Sequence, residues 1–258
     1  VPSLPGRSRL PLCALAFVVV AGCAVDEPTA APGAPVVTSA PTPTPTPTSA
    51  PTLKVTPTRA PTPSKSPTSK PDTRKKLAAL VVKPRPSGTL GYDRDAFGSS
   101  WSDIDGNGCN QRDDVLLRDA RPGSVRTQQQ GRCDHDVLSG TWVDPYAGRT
   151  IVLTDMKNLS QAQAVQIDHV VPLAEAWVSG ARTWTDERRR AYANTLTGLL
   201  AVDGPTNASK SDDDPAAWRP RKGYQCRYAV RSINVKYAWN LDVDPSEVRA
   251  LNEMLGYC

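Results

Sequence analysis

Asp168 and His169 stand side by side in Gln166-Ile167-Asp168-His169-Val170-Val171-Pro172-Leu173. A second apolar run, Leu199-Leu200-Ala201-Val202, precedes the polar stretch Asn207-Ala208-Ser209-Lys210-Ser211-Asp212. A histidine with a reference pKa of about 6.5 is largely neutral at neutral pH and can take a proton. Asp168 and Asn207 offer hard oxygens, the donors that a mostly hydrated Mg2+ or Mn2+ accepts while keeping places for water and substrate. Lys210, one helical turn after Asn207, adds a cation on the same side. A base, one divalent ion and a cation are the parts needed to hydrolyse an anionic ester.

Those residues have to be positioned, and the flanking sequence says how. Val165 to Val171 is a short extended stretch broken by Pro172, and Leu199 to Val202 reads as a buried strand turned by Asp203-Gly204-Pro205. A short helix over Asn207 to Lys210 follows. Between the strands, Leu173 to Val178 begins a helix and Thr185 caps another that runs to Asn194, with acids in its first turn. Upstream, Arg112 to Leu117 reads as a short helix, and Gly140-Thr141-Trp142-Val143 and Thr150-Ile151-Val152-Leu153 flank Asp144 to Gly148 as a β-hairpin. Downstream lie helices from Tyr224 to Tyr237 and after Asp244-Pro245-Ser246-Glu247. The class is α+β: a small hairpin and strand–strand–helix core packed with several helices.

The order of strand, Asp-His, long insertion, strand, turn and Asn-bearing helix resembles the HNH nuclease superfamily and its ββα-metal motif. It is most similar to secreted actinobacterial proteins of the DUF1524/GmrSD C-terminal type. The likeness runs from about Tyr92 to Cys258 and includes Tyr92-x-Arg94, Phe97-Gly98, Trp101-Ser102-Asp103 and Gly108-Cys109. It implies an endonuclease that cuts DNA, or RNA as well, and leaves 5′-phosphates. His169 would be the general base, and Asp168 and Asn207 would hold one Mg2+ or Mn2+. Lys210, Arg219, Arg221 and Arg112 are the candidate phosphate contacts. Many members carry Asn where this chain has Gly198, a residue that braces the loop bearing the catalytic His, and Asn194 is the candidate to replace it.

Asp103-Ile104-Asp105-Gly106-Asn107-Gly108, with Asp114 in the twelfth place, matches the ligand positions of an EF-hand loop. Asp103, Asp105, Asn107 and Asp114 are therefore candidate Ca2+ ligands. A rival reading follows: a non-catalytic, cell-surface binding lipoprotein that keeps the fold and uses this loop for Ca2+. The chain's two histidines exclude a His-rich metal centre. His135 reads as a surface residue beside a disulfide. Of the six cysteines, Cys109, Cys133, Cys226 and Cys258 are expected to pair locally, Cys109 with Cys133 and Cys226 with Cys258.

The chain carries 31 Lys+Arg against 26 Asp+Glu and 25 Pro in 258 residues. The positive excess lies before residue 90, together with most of the prolines, while residues 90–258 hold more acids than bases. The mildly acidic part therefore lacks the broad basic face of a general nucleic-acid binder. Arg188-Arg189-Arg190 reads as solvated helix surface. Residues 1–23 read as an export signal: Arg7 and Arg9, an apolar run too short to span a bilayer, then Val20-Ala21-Gly22-Cys23, which resembles a lipobox with Cys23 as the lipid anchor. Residues 24–85 read as a Pro/Thr-rich extended stalk that reaches on the order of 150 Å at ~3.1 Å per residue. Residues 86–258 would be a monomeric domain held at the outer face of the cell membrane or released, with no transmembrane helix in the mature protein.

Overall fold

The computed structural model describes residues 70–258. The export-signal segment with Cys23, and the Pro/Thr-rich run as far as residue 69, lie outside the described residues. The class is α+β: small antiparallel sheets among helices, with disulfides Cys109–Cys133 and Cys226–Cys258.

Strands β1 (Arg126–Gln130), β2 (Cys133–Val143) and β3 (Thr150–Leu153) form one sheet in that order. The β2–β3 register, Gly140↔Leu153 to Val143↔Thr150, follows from the expected turn. Asp144 closes that turn by accepting from the Tyr146 and Ala147 amides at 3.2 and 2.6 Å. Trp142 is fully buried at the sheet's centre and donates from its ring to the Leu116 carbonyl at 2.8 Å, which fixes helix α2 (Gln111–Asp119) across the sheet. A Cβ on Gly140 would meet that indole at 2.7 Å, so packing rather than a turn requires this glycine. Strand β1 is exposed along its whole length and offers no apolar alternation that the sequence could show.

The second sheet is the antiparallel pair β4 (Val165–His169) and β5 (Leu199–Asp203), registered Val165↔Asp203 through His169↔Leu199. Leu199 and Ala201 join the core under α2 and Trp142, whereas Leu200 and Val202 join a second core. Burial on both faces explains the unbroken apolar run. Asp203 then caps helix α6 (Gly204–Lys210) by accepting from the Thr206 amide, with Pro205 in the first turn. Between the strands lie α4 (Leu173–Val178) and α5 (Asp186–Ala193), the latter capped by Thr185. A four-residue helix, α3 (Leu159–Ala162), precedes β4.

Helices α7 (Lys222–Trp239) and α8 (Pro245–Leu255) complete the second core and are stapled by Cys226–Cys258. The packed unit begins before residue 86. Helix α1 (Lys70–Ala79), in the segment read as stalk, places Leu77 and Leu80 in that core, and Val82 pairs with Val243. Proline density hid this: Lys70 to Leu80 carries one proline, at the start of the helix, where it is tolerated.

Lys236 on α7 has no exposed side-chain surface and donates to Glu175 at 2.8 Å and Glu247 at 2.5 Å. Arg85 adds a second cation to Glu175 at 2.6 Å. Burial works against the Glu175 charge, but Lys236 and Arg85 outweigh it and hold its pKa below the ordinary value. Glu247 has one oxygen with no partner, and burial pushes its pKa up to about 7. Glu247 therefore stabilises the fold fully below its ordinary pKa of 4.5 and loses that contribution as pH rises through about 7. Glu247→Gln keeps the neutral shape without that loss. In urea titrations it should gain stability over the wild type, on the order of 1–3 kcal/mol, between about pH 5 and about pH 8. A difference that does not change with pH would exclude this assignment.

Candidate active site

The end of β4 meets the start of α6, so Asp168, His169 and Asn207 line one cleft of about 160 Å³, together with Arg94, Pro172 and Asp212. Asp168 is 6 % exposed, and both of its oxygens are engaged. Lys210 Nζ donates to Oδ1 at 2.9 Å and to the His169 carbonyl at 2.9 Å, and Tyr146 donates its hydroxyl to Oδ2 at 2.5 Å. Lys210 is fully buried and Tyr146 nearly so. Burial first, and the Asp168 charge second, raise the Tyr146 pKa well above its usual value, so it remains a donor. A carboxylate has about four lone-pair positions, so roughly two remain on Asp168. Asn207 donates from Nδ2 to Gln166 Oε1 at 2.9 Å, which orients Oδ1 as its acceptor. Among the described residues nothing donates to that oxygen. The open donors are hard oxygens, which fit Mg2+ or Mn2+.

His169 donates from Nε2 to the Ala193 carbonyl at 2.8 Å. A carbonyl cannot donate, so this bond sets the tautomer and leaves Nδ1 as the ring's proton acceptor. Trp101 stacks on the ring at 5.8 Å between centroids and 14° between planes. Burial lowers the His169 pKa to about 4, with Arg94 and Lys210 adding to the effect and the Ala193 carbonyl opposing it. The brace expected from an Asn at position 198 comes from elsewhere. Ala193 holds the ring, and Asn194 accepts from the Ser102 amide at 2.9 Å and so ties down the Trp101 segment. At Gly198 the backbone carbonyl accepts from the Val170 amide at 2.9 Å, and a Cβ would meet only Val235 at 3.9 Å.

The four cations expected on phosphate are placed otherwise. Lys210 lies beneath the cleft on Asp168, not at its surface. Arg219 pairs with Glu253 at 2.8 Å, Arg221 donates to the Pro145 carbonyl at 3.2 Å, and Arg112 donates to the Ala162 and Val165 carbonyls at 3.4 Å. None of these three lines the cleft. Arg189, expected as solvated surface, is 9 % exposed and donates to the Ala96, Ala181 and Trp184 carbonyls.

The loop matching an EF-hand satisfies its oxygens internally. Asp103 accepts from the Gly106 and Gly108 amides, and Asn107 accepts from the Cys109 amide. Asp114 accepts from Asn107 and from His135 Nε2, the latter at 2.7 Å, while Asp105 is exposed. These are the hydrogen bonds of an Asx-rich turn. Cys109, Cys133 and His135 are the one group of three His, Cys, Asp or Glu side chains among the described residues close enough to share an ion. The two sulfurs are bonded to each other and offer no thiolate.

Arg94, Tyr146, Trp101 and Asp212 belong to the site, although the sequence pointed to no chemistry at them. Tyr92-x-Arg94 and Trp101 were visible only as parts of a resemblance, and Tyr146 reads as a turn residue because its hydroxyl meets Asp168 only after the hairpin folds.

A strand pair leading into a helix, with Asp-His on the first strand and Asn on the helix, has the build of a nuclease-type domain. Residues 110–254 match the family described as GmrSD restriction endonucleases, C-terminal domain, and the chain belongs to that family. It is also 39 % identical over 185 residues to an uncharacterized secreted protein of Arthroderma benhamiae, a match covering 70 % of this chain and 82 % of that one. No solved structure gives a significant match. Among the described residues no helix is long and apolar enough to cross a membrane.

The placement of Lys210 can be checked. Lys210→Ala leaves the Asp168 charge buried without its cation and should cost about 3–5 kcal/mol of stability, read from denaturant midpoints. A surface phosphate contact would change stability by no more than about 0.5 kcal/mol.

Proposed function

We propose that this protein is an exported, metal-dependent endonuclease of the HNH kind that hydrolyses phosphodiester bonds in DNA, or in RNA as well. The observation that carries the reading is the fixed tautomer of His169: Nε2 is committed to the Ala193 carbonyl, so Nδ1 is the acceptor, in a cleft shared with Asp168 and Asn207. Family membership supports a nuclease-type activity. In this reading Nδ1 takes a proton from the attacking water, and Trp101 and the Ala193 carbonyl keep the ring in place. Lys210 and Tyr146 hold the Asp168 carboxylate on the cleft wall. A divalent ion held by Asp168 and Asn207 would supply positive charge against the phosphate and the leaving oxygen. Arg94 is the cation on the cleft itself and takes the phosphate-binding role first assigned to the other four.

Residues 1–23 direct export and Cys23 carries the lipid, so the stalk holds the domain off the outer face of the membrane. The secreted relative is in keeping with export. Because residues 70–258 carry nearly as many acids as bases, substrate capture rests on a few local charges and weakens as salt rises.

The test is conversion of supercoiled plasmid to nicked and linear forms in Mg2+ or Mn2+, and its arrest by EDTA. His169→Ala should lower the rate by about 10²–10⁴-fold with the fold intact. Metal-independent nicking, or equal nicking by the variant, would sink the reading. Arg94→Ala should raise KM at least tenfold and make the loss with salt shallower, and Arg94→Lys should recover part of both. An unchanged KM removes Arg94 from the phosphate.

A further inference from the structure

Away from the cleft, the loop that leads into α2 and the first residues of β2 bring together a donor set that hydrolysis does not use. Cys109 Sγ, Cys133 Sγ and a His135 ring nitrogen all lie within 4.8 Å of one another. Cys109 Sγ stands 3.4 Å from His135 Nδ1. Two donors on one tetrahedral zinc, at ~2.3 Å for sulfur and ~2.0 Å for nitrogen, lie about 3.5 Å apart. Asp134 Oδ1 is 2.6 Å from the same Nδ1, and its side chain is 86 % exposed. On the far side of the ring, Asp114 Oδ1 is 2.7 Å from Nε2, with its side chain 8 % exposed. A buried carboxylate behind one imidazole nitrogen, with sulfurs in front of the other, is the arrangement that orients metal-bound histidines.

We infer that, when the Cys109–Cys133 bridge is reduced, this junction holds a zinc-class divalent ion through Cys109, Cys133 and His135, with Asp134 as fourth donor and Asp114 orienting the ring. The site is independent of the nuclease cleft. In the bridged state both sulfurs are in a covalent bond and His135 sits between two carboxylates. The bridged state therefore leaves little free lone pair on either nitrogen. Two equivalents of an external thiol convert the bridge to two cysteine thiols and leave as their own disulfide. Binding the ion then releases the two thiol protons and the Nδ1 proton to solvent. Cys109 and Cys133 are 1 % and 6 % exposed, so the state that meets the ion is the new chain before oxidation, or the chain in excess thiol. Ion and bridge are alternative staples for the same contact between α2 and β2.

To test this, the full chain is reduced with a phosphine, freed of reductant without air, and titrated with Co2+. Thiolate charge-transfer and tetrahedral d–d bands report the donor set. The expected result is one thiolate-ligated Co2+ per reduced chain, displaced by Zn2+, and no thiolate charge-transfer band on the oxidised chain, whatever ion the oxygen donors of the cleft take up. Cys226→Ser/Cys258→Ser should keep the bands, Cys133→Ser and His135→Ala should weaken binding at least tenfold, and Asp114→Asn should weaken it about tenfold. No cobalt bands in the reduced chain, or bands undiminished in His135→Ala, overturns the inference. Where reduction abolishes the far-UV circular dichroism, Zn2+ should restore it in the wild type and not in His135→Ala. Failure to restore it in the wild type overturns the inference equally.

Discussion

The ion pair between Lys210 and Asp168 is the contact on which the arrangement of the site depends. It joins β4 to α6 inside the protein, and Tyr146 brings the β2–β3 hairpin to the same carboxylate. Lys210 also holds the His169 carbonyl, so one ammonium fixes Asp168 and the backbone of the histidine that follows it. Burying a carboxylate in this way is tolerable only because a cation and a hydroxyl donate to it directly, and removing either leaves charge or polarity uncompensated. The neighbouring lysine also helps to keep His169 neutral. One interaction thus holds the His169 backbone in place and adds to the burial that keeps its ring neutral.

Much of this was legible in the chain because the signals were local. Asp203, Thr185 and Asp244 each announce a helix start and each accepts backbone hydrogen bonds there. The β2–β3 turn, the β4 and β5 strands and both disulfides follow from equally short patterns. What escaped notice depends on tertiary contact. Strand β1 has no buried face, and α1 is too short and polar to stand out from the proline-rich segment beside it. Cation placement depends on tertiary contact in the same way: sequence proximity to Asn207 says nothing about which way Lys210, Arg219 or Arg221 points. Arg94 is far from Asp168 along the chain and reaches it only because Phe97, Tyr92 and Tyr192 pack the 3₁₀ turn of Arg94–Phe97 into an aromatic cluster.

Charge counted along the sequence and charge available at the surface are different quantities. The overall excess of +5 is shared: somewhat more than half of it lies before residue 70, and the rest enters the packed unit with α1 and the segment that follows it. Within the domain, Lys210 and Lys236 are fully buried on carboxylates, and Arg85, Arg118 and Arg189 are tied to carboxylates or carbonyls. Such residues are part of the framework and add little to long-range attraction of a polyanion. At the cleft of Asp168, His169 and Asn207, Arg94 is the cation on the lining, and no basic face surrounds it.

Lys210 and Lys236 also show what separates a site from scaffolding built with the same chemistry. Each is a helix lysine with no exposed surface, buried against carboxylates. Around Lys236, Glu175, Glu247, Ser179 and the Asp242 carbonyl surround the ammonium, and the surplus acid is pushed towards its neutral form. That cluster is closed upon itself and adjusts by holding a proton. Around Lys210 there is one carboxylate and a backbone carbonyl, and the same carboxylate lines an open cleft beside an uncommitted amide oxygen and a histidine acceptor. Its remaining lone pairs face the cleft. The sequence presents both lysines alike; only the number of acids around each, and the side on which those acids are exposed, makes one part of a closed cluster and the other the floor of an open cleft.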